Sequence, residues 1–356
     1  MKKRLRAVAL PSLRRIVPAA VGIMIFLGGC AAPQRKIPDV VWPLPPDKQR
    51  VKLVDKITNV SDLDWGSDIS ATIFGEEQAA AFVKPYAVAV DDDGKVYVTD
   101  VGKVWVFDMK NKKIGYLGVE PGMGRVGFTI GVAVSRDGRV FVSDISNQRV
   151  FVYRGGKFIA AIGKTGELMD PTGLAVDDAR KLLYVVDTKR HAVGVYSLDD
   201  YQKIRSFGKR GSEEGEFNYP TNVAVDPEGR VYVVDTGNFR VEIFDQNGKY
   251  LKSIGKLGDA PGSLARPKGI AIDSEGHIYV VDSAFDNFQI FKDDGTLLLF
   301  VGGPGSEPGR FFLPAGMTID KDDKIYVIDQ IPPSLQIFQY LGKKWEESQK
   351  ADSSKK

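Results

Sequence analysis

An aspartate that closes a short apolar run recurs six times along this 356-residue chain. These residues are Asp100, Asp144, Asp187, Asp235, Asp282 and Asp329. By subtraction, the intervals between them are 44, 43, 48, 47 and 47 residues. Self-similarity at such a period is typical of repeat architectures, in which each repeat forms one supersecondary unit.

The clearest unit, residues 217–255, contains four short runs separated by turn sequences such as Asp-Pro-Glu-Gly. The runs are Val223–Val225, Val231–Val234, Val241–Phe244 and Tyr250–Ile254. The first three are apolar on both pleat faces. The fourth alternates Leu251 and Ile254 with Lys252 and Ser253, as expected if only the outermost strand meets water. The unit therefore predicts a four-stranded antiparallel sheet that needs cover on both faces.

Six such units predict an all-β fold, a six-bladed β-propeller with four-stranded antiparallel blades. In a propeller each blade covers the faces of its neighbours, and closure of the ring protects the sheet edges.

The motifs of the unit resemble the NHL repeat family. They are F-x-x-P-x-G-[IVL]-A-[VI]-D, [IV]-Y-V-x-D-T-x-N-x-R-[VI]-x-[IV]-F and G-x-x-G-x-x-x-G-x-F, and the resemblance extends from Phe82 to Phe338. It implies a six-bladed propeller. It leaves the function open, because members of this family include enzymes, sensors and binding scaffolds.

A strand-like segment ahead of the first unit predicts how the ring closes. The sixth unit supplies only three clear strands, whereas Val51–Ile57 alternates like a strand and has no partner nearby in sequence. We therefore predict that Val51–Ile57 is the outer strand of the last blade. The predicted propeller spans residues 50–340 and is followed by a charged C-terminal tail, 341–356.

The N-terminus has the pattern of an export signal. A basic start precedes an apolar run from Ile16 to Leu27 that is too short and too interrupted for a comfortable membrane span. The ending Leu-Gly-Gly-Cys30 resembles the lipobox of bacterial lipoproteins, which implies a signal peptide over residues 1–29 and lipidation of Cys30. Residues 30–49 are rich in proline and predict a semi-extended tether, although Trp42 and the prolines could instead pack along the propeller.

Several kinds of catalytic or metal site are disfavoured by the sequence. Cys30 is the single cysteine, so disulfides and thiolate metal sites are excluded. The two histidines, His191 and His277, fall on opposite faces of the predicted propeller and cannot share a metal. A histidine-bound zinc, as in the amidating lyases that have NHL propellers, is therefore not expected. We find no Ser-His-Asp arrangement, and we expect no cofactor.

The repeated carboxylates have structural explanations. The acidic runs 91–94 and 320–323 stand where other units have hairpin turns and lack the remaining ligands of an EF-hand, so we expect turns rather than calcium sites. We expect the six aspartates from Asp100 to Asp329 to accept backbone N–H groups, and Arg149 and Arg240 to hold the repeat in a similar way.

Candidate binding residues break the repeat on the loop-rich face, which carries the loops that enter strand one and that join strands two and three. The residue after each opening proline or its equivalent varies: Tyr86, Ile130, Thr172, Thr221, Lys268 and Ala315. The next residue is small in five of six units, which fits crowding near the axis: Ala87, Gly131, Gly173, Asn222, Gly269 and Gly316. The candidate ligand face comprises Tyr86, Thr172, Lys189, Arg190, Thr221, Asn222, Lys268 and Asn287. Ordinary variation of surface loops would account for the same pattern.

Three function classes follow. We favour a non-enzymatic scaffold, lipid-anchored in the cell envelope, that binds a protein or peptide partner. The alternative is a metal-dependent, lactonase-like hydrolase or lyase. Nucleic-acid binding is disfavoured because the net charge is only +3 and much of the positive excess lies at the chain ends.

Lipidation is directly testable. We expect wild-type protein to partition with membranes, whereas Cys30→Ser leaves an unprocessed or soluble product, because lipid is attached through the thiol. Ala31, in place of aspartate, favours the outer membrane on the periplasmic side, with the cell surface as a further possibility. Membrane fractionation is the measurement, and equal partitioning of both forms would refute the lipoprotein prediction.

Overall fold

A computed structural model describes residues 37–63, 65 and 81–353. The predicted signal peptide, Cys30 and the tether up to residue 36 lie outside the described residues.

The described chain forms six antiparallel sheets arranged as the blades of a propeller. Blade 1 contains β3 (Val88–Val90), β4 (Lys95–Asp100), β5 (Lys103–Asp108) and β6 (Lys113–Leu117). Blade 2 contains β7 (Thr129–Val134), β8 (Arg139–Asp144), β9 (Arg149–Arg154) and β10 (Lys157–Ile162). Blade 3 contains β11 (Pro171–Asp177), β12 (Leu182–Asp187), β13 (Ala192–Ser197) and β14 (Lys203–Phe207). Blade 4 contains β15 (Pro220–Val225), β16 (Val231–Asp235), β17 (Arg240–Phe244) and β18 (Tyr250–Ile254). Blade 5 contains β19 (Pro267–Ile272), β20 (Ile278–Asp282), β21 (Asn287–Phe291) and β22 (Leu297–Gly302). Blade 6 contains β23 (Pro314–Ile319), β24 (Lys324–Gln330), β25 (Pro333–Tyr340), β2 (Val51–Ile57) and β1 (Val41–Trp42). Short 3-10 turns span Val60–Leu63, Thr188–Arg190 and Thr236–Asn238.

The hydrophobic core is divided among the interfaces between blades. Six buried clusters occur in the described chain, each joining two neighbouring blades. The cluster that joins blades 6 and 1 contains Ile328 and Leu335 from one side and Val98 and Trp105 from the other. The ring is therefore closed, and the predicted six-bladed fold is confirmed.

The N-terminal strand completes the last blade. β2 pairs antiparallel with β25, with Val51 opposite Tyr340 and Leu53 opposite Phe338. Val51, Leu53 and Ile57 are at most 1% exposed, so their side chains belong to the cores on both sides of blade 6. The predicted closure is confirmed, and it joins the two ends of the propeller chain by main-chain hydrogen bonds.

The tether assignment needs correction within residues 37–49. Val41–Trp42 forms a fifth strand on β2, and the ring of Trp42 packs edge-on against Phe338 with centroids 5.7 Å apart. Burial of an indole outweighs the chain entropy gained by a free spacer, so this part of the segment docks on blade 6.

The charged C-terminal segment also docks. Lys343–Ser353 forms helix α1, and the backbone N–H of Lys343 donates to Glu275 at 2.9 Å. Lys48 reaches Glu346 of the same helix at 3.0 Å. None of the helices in the described residues has the length and apolar character needed to span a membrane.

The repeated aspartate at the end of each second strand anchors the loop that enters the first strand. Asp100 accepts from the N–H groups of Val83 and Lys84 at 2.8 and 2.7 Å, and Asp282 accepts from Ala265 and Arg266 at 2.7 and 3.0 Å. Arg240 supports the same region, since it contacts Asp235 at 3.2 Å. The structural role that we predicted is confirmed for the aspartates and for Arg240, whereas Arg149 instead donates to the Thr165 hydroxyl at 3.2 Å.

A second aspartate, at the end of the first strand, fastens the hairpin to the second strand in blades 1, 4, 5 and 6, whereas in blade 3 Asp177 pairs with Arg180. A tyrosine hydroxyl donates to this aspartate in four blades: Tyr97 to Asp91, Tyr232 to Asp226, Tyr279 to Asp273 and Tyr326 to Asp320, at 2.9 to 3.1 Å. Blade 2 lacks both groups, because Ser135 and Phe141 stand at these positions. The acidic runs at 91–94 and 320–323 are therefore hairpin turns, as predicted.

The outer strand of blade 4 departs from the predicted orientation. Leu251 is 46% exposed, whereas Lys252 is half-buried and its Nζ lies 2.5 Å from Asp293 of blade 5. An ion pair supplied by the neighbouring blade therefore accounts for the inward position of the lysine.

A buried carboxylate replaces an amide in blade 4. In blades 5 and 6, Gln289 and Gln336 accept the N–H of Gly262 and Gly309 and donate to Ser263 O and Arg310 O at 2.8 and 2.7 Å. These contacts hold the glycine-rich loops that lead to the first strands.

Glu242 stands at the corresponding position in blade 4. Its Oε1 accepts from Gly215 and lies 2.9 Å from Arg240, whereas its buried Oε2 has no partner in the described chain. Burial, opposed by Arg240, raises the pKa of Glu242 to about 7.

We expect Glu242→Gln to stabilise the fold, because the amide can donate to the blade 4 loop as Gln289 and Gln336 do in theirs. The folded-state pKa is raised, so the wild type loses stability as pH rises from about 4, the ordinary glutamate pKa, to about 7. The gain in melting temperature should therefore grow across that interval and then level off. Glu242→Ala, which removes the acceptor for Gly215, is the destabilised control. A gain that does not vary with pH would contradict this account.

Closure of the ring can be tested by truncation. A chain that begins at residue 51 loses the Trp42 contacts and should melt at a lower temperature while staying monomeric. A chain that begins at residue 58 also loses β2, exposes the edge of β25 and should aggregate. Thermal melting with size-exclusion chromatography separates these outcomes, and identical behaviour of the two chains would refute the role of β2.

Candidate functional site: the loop-rich face

The first strands of the six blades line a narrow central channel. Its volume is about 220 Å³, and its lining consists mainly of small aliphatic residues such as Ala89, Val132 and Ala271. Asn222 and Thr318 are the polar side chains among the lining residues. The channel wall therefore offers few groups for acid–base chemistry.

Backbone contacts narrow the channel at the loop-rich face. A Cβ atom added to Gly131 would lie 2.1 Å from Thr172 O, and one added to Gly316 would lie 2.4 Å from Tyr86 O. Real Cβ atoms do not approach a carbonyl so closely, so glycine is required where neighbouring first strands touch. The crowding that we predicted near the axis is confirmed.

Hydroxyl groups join the blades at the same level. Thr99 donates to Ile130 O, Ser143 to Thr172 O, Thr188 to Pro220 O and Thr236 to Pro267 O, at 2.6 to 2.8 Å. Each bond runs from the end of one second strand to the next blade. The sequence signal is a serine or threonine directly before or after the repeated aspartate, and our sequence reasoning gave it no role.

Four of the eight residues proposed for the ligand face already have partners within the chain. The hydroxyls of Thr172 and Thr221 lie 2.9 and 2.8 Å from those of Thr188 and Thr236. The Lys189 ammonium lies 3.0 Å from Asp170, and the Arg190 guanidinium donates to Gly166 O at 2.6 Å. These residues hold loops in place.

Asn287 lies away from the channel. It borders an apolar groove of about 290 Å³ on the outer side of blade 5, together with Phe285 and Phe300. Its buried Oδ1 has no partner in the described part of the chain. The structure therefore does not bring Asn287 together with the residues at the channel mouth.

Tyr86, Asn222 and Lys268 remain at the channel mouth. Burial and the neighbouring Arg266 lower the pKa of Lys268 to about 8. Burial raises the pKa of Tyr86 to about 12, and Arg266 opposes this rise. The Nδ2 of Asn222 is buried and has no partner among the described residues. These groups are available to a ligand, and all three can donate hydrogen bonds.

The two histidines are separated as predicted. His191 is buried, its Nδ1 accepts from the Tyr219 N–H at 3.1 Å, and its ring packs against that tyrosine. His277 lies beside a first hairpin, 2.8 Å from Asp273, and this hydrogen bond raises its pKa.

Metal-ligand chemistry finds little support within the described residues. They contain no group of three or more histidine, cysteine, aspartate or glutamate side chains placed to hold a metal ion. Asn222 is the nearest that the wall of this part of the channel comes to a metal ligand. The carboxylates of Asp177, Asp226, Asp273 and Asp320 lie instead around the hairpin end of the channel. Within the described residues, the loop-rich part of the channel therefore offers no set of carboxylate ligands for a divalent metal.

Comparison with known proteins gives two overlapping results. A model of the SMP-30/Gluconolactonase/LRE-like region matches residues 73–265, and an NHL repeat model matches residues 264–292. NHL repeat-containing protein 2 of Gallus gallus is 31% identical over 98 residues, which are 25% of this chain and 14% of that relative. The chain thus covers far less than two thirds of that relative's length.

Solved structures share the fold at low sequence identity. Virginiamycin B lyase from Staphylococcus aureus has a TM-score of 0.55 at 13% identity, with 81% of this chain and 99% of that chain covered. An auxiliary nutrient binding protein from Bacteroides thetaiotaomicron has a TM-score of 0.58 at 12% identity, with 74% and 71% covered. Likeness at these identities shows the propeller fold alone. Since the first family model matches more than half of this chain, the chain belongs to the SMP-30/gluconolactonase/LRE-like family, in a form built from NHL repeats.

Proposed function

We propose that this protein is a lipid-anchored, extracytoplasmic binding or scaffold protein without enzymatic activity. In this proposal Cys30 attaches the chain to the envelope, and the loop-rich face recognises a protein or peptide partner. NHL propellers commonly mediate protein interactions, which supports this class of function.

One observation carries the proposal. At the loop-rich face the first strands touch backbone to backbone, and hydroxyl bonds join them, so a large substrate has little room to enter the aliphatic channel. The groups left available lie at the channel mouth, on a rigid surface. A preformed surface of this kind loses little entropy when it binds a partner.

A metal-dependent, lactonase-like hydrolase or lyase is the competing proposal. Membership of the SMP-30/gluconolactonase family favours it. The aliphatic wall of the channel, and the hydrogen bonds that engage the repeat carboxylates in entry loops and hairpins, favour the binding role. The names of the similar structures include both a lyase and a binding protein, so they favour neither.

Site-specific photo-crosslinking in intact cells tests which face binds. A benzophenone amino acid would replace Tyr219 or Phe312, which are 50% and 48% exposed beside the entry loops of blades 4 and 6. Matched controls place it at Glu228 and Asn247, which are exposed in hairpins on the opposite face. We expect an adduct of discrete mass from the first pair alone. Equal adducts from both faces, or adducts from the hairpins only, would contradict the proposal.

Metal analysis and lactone hydrolysis test the competing proposal. We expect purified protein to carry no stoichiometric metal and to leave lactone and ester substrates intact. Bound metal at one equivalent, together with lactone hydrolysis that a chelator abolishes, would overturn the non-enzymatic role.

A further inference from the structure

Tyr86 and Lys268 of the candidate face stand on either side of Ala315 at the channel mouth. The N–H of Gly316 donates to Tyr86 O at 2.8 Å, and a Cβ atom on Gly269 would lie 2.6 Å from Ala315 O. These contacts make Tyr86, Ala315 and Lys268 neighbours on blades 1, 6 and 5. Ala315 has only a methyl group, so the two longer side chains flank the shortest residue in this part of the rim.

Two positive side chains lie here, and the carboxylate of Asp282 accepts the backbone N–H of Arg266 rather than its guanidinium. Lys268 is half-buried and Arg266 is exposed, and neither has an ion-pair partner in the described part of the chain. Arg266 directly precedes β19, two residues before Lys268. Its charge lowers the pKa of Lys268 and opposes the rise in the pKa of Tyr86. Two cations of the candidate face differ, since Lys189 and Arg190 are paired with Asp170 and Asp187.

An unpaired, half-buried ammonium is costly, because burial removes water without supplying an acceptor. Lys268, Arg266 and the Asn222 amide nitrogen are donors, and the Tyr86 hydroxyl can also donate. A complementary ligand group must therefore accept hydrogen bonds and carry negative charge.

We propose that Tyr86, Arg266 and Lys268 bind a carboxylate group of the ligand, with Asn222 as a further donor from the channel wall. The inference rests on the proposed function, since it assigns the chemistry that the loop-rich face recognises. The contacts between first strands lie directly below these residues, so the ligand sits on the rim and presents its carboxylate downward.

Titration of the full-length protein with N-acetyl-alanyl-alanine tests the assignment. The free acid carries one carboxylate, and its C-terminal amide is the matched neutral probe. We expect saturable binding of the acid at pH 7 and low salt. The amide should bind at least about tenfold more weakly than the acid. Added salt should weaken binding of the acid, because the contact is largely between charges.

Two substitutions assign the contact to the rim. Lys268→Met should weaken binding of the acid about tenfold or more without lowering the melting temperature, because it removes an unpaired buried charge. Lys209→Met removes a lysine that pairs with Glu216 on the same face, outside the candidate ligand residues, and should leave acid binding unchanged. Arg266→Gln should weaken binding and provides a second readout if the methionine variant folds poorly.

Three results would overturn the assignment: equal binding of acid and amide, wild-type binding by Lys268→Met, or tighter binding of phenyl phosphate than of the acid. Cross-linking from Tyr219 and Phe312 does not depend on a carboxylate. A fourth result, no detectable binding of the acid by the wild type with retained adducts from that face, would therefore refute the carboxylate site and leave the proposed function standing.

Discussion

Burial of both faces of every blade is the constraint on which this structure depends. The inner three strands of each sheet are apolar on both sides, so a blade is stable only between two neighbours. A fully buried aromatic or aliphatic side chain contributes roughly 1.5 to 3 kcal/mol, and each of the six interfaces contains several. A ring satisfies this requirement for all blades at once, provided that the last blade meets the first. The pairing of β2 with β25 fulfils that condition, because it completes the sheet that contacts blade 1.

Close contact between the first strands near the axis follows from the same constraint and limits where a ligand can bind. Six first strands converge, and glycine at Gly131, Gly173, Gly269 and Gly316 lets neighbouring backbones touch. Hydroxyl groups from the second strands reinforce these contacts. The interior is therefore largely committed to packing, which leaves the surface of the loop-rich face as the place for recognition. The carboxylates of the repeat are committed in the same way, since they hold entry loops and hairpins.

Repeat positions also show which interactions form a unit. Where Ser135 replaces the hairpin aspartate in blade 2, Phe141 replaces the tyrosine that would donate to it, and Phe141 is fully buried. A tyrosine hydroxyl left there without its acceptor would be a buried unsatisfied group, which is unfavourable. Glu242 illustrates the opposite case: a carboxylate stands where blades 5 and 6 have an amide, and its buried Oε2 has no partner among the described residues.

The sequence by itself determined the architecture. The period of the aspartates, the turn sequences and the orphan strand Val51–Ile57 predict blade number, strand order and closure, because each depends on local pattern and on the count of strands. The structural roles of Asp100 and Asp282 were also predictable, since an acceptor repeated once per blade has a repeated task.

Only the tertiary structure decided which surface groups are available. The sequence alone gives no reason to separate Lys189 and Arg190 from Lys268. In the structure Lys189 pairs with Asp170 and Arg190 donates to Gly166 O. Lys268 has no ion-pair partner among the described residues. Trp42 docks on Phe338, and Lys252 turns inward to Asp293, because their partners lie in distant segments or neighbouring blades. A local pattern predicts which strand a residue belongs to. Contacts between blades, which join residues far apart in the chain, decide what its side chain meets.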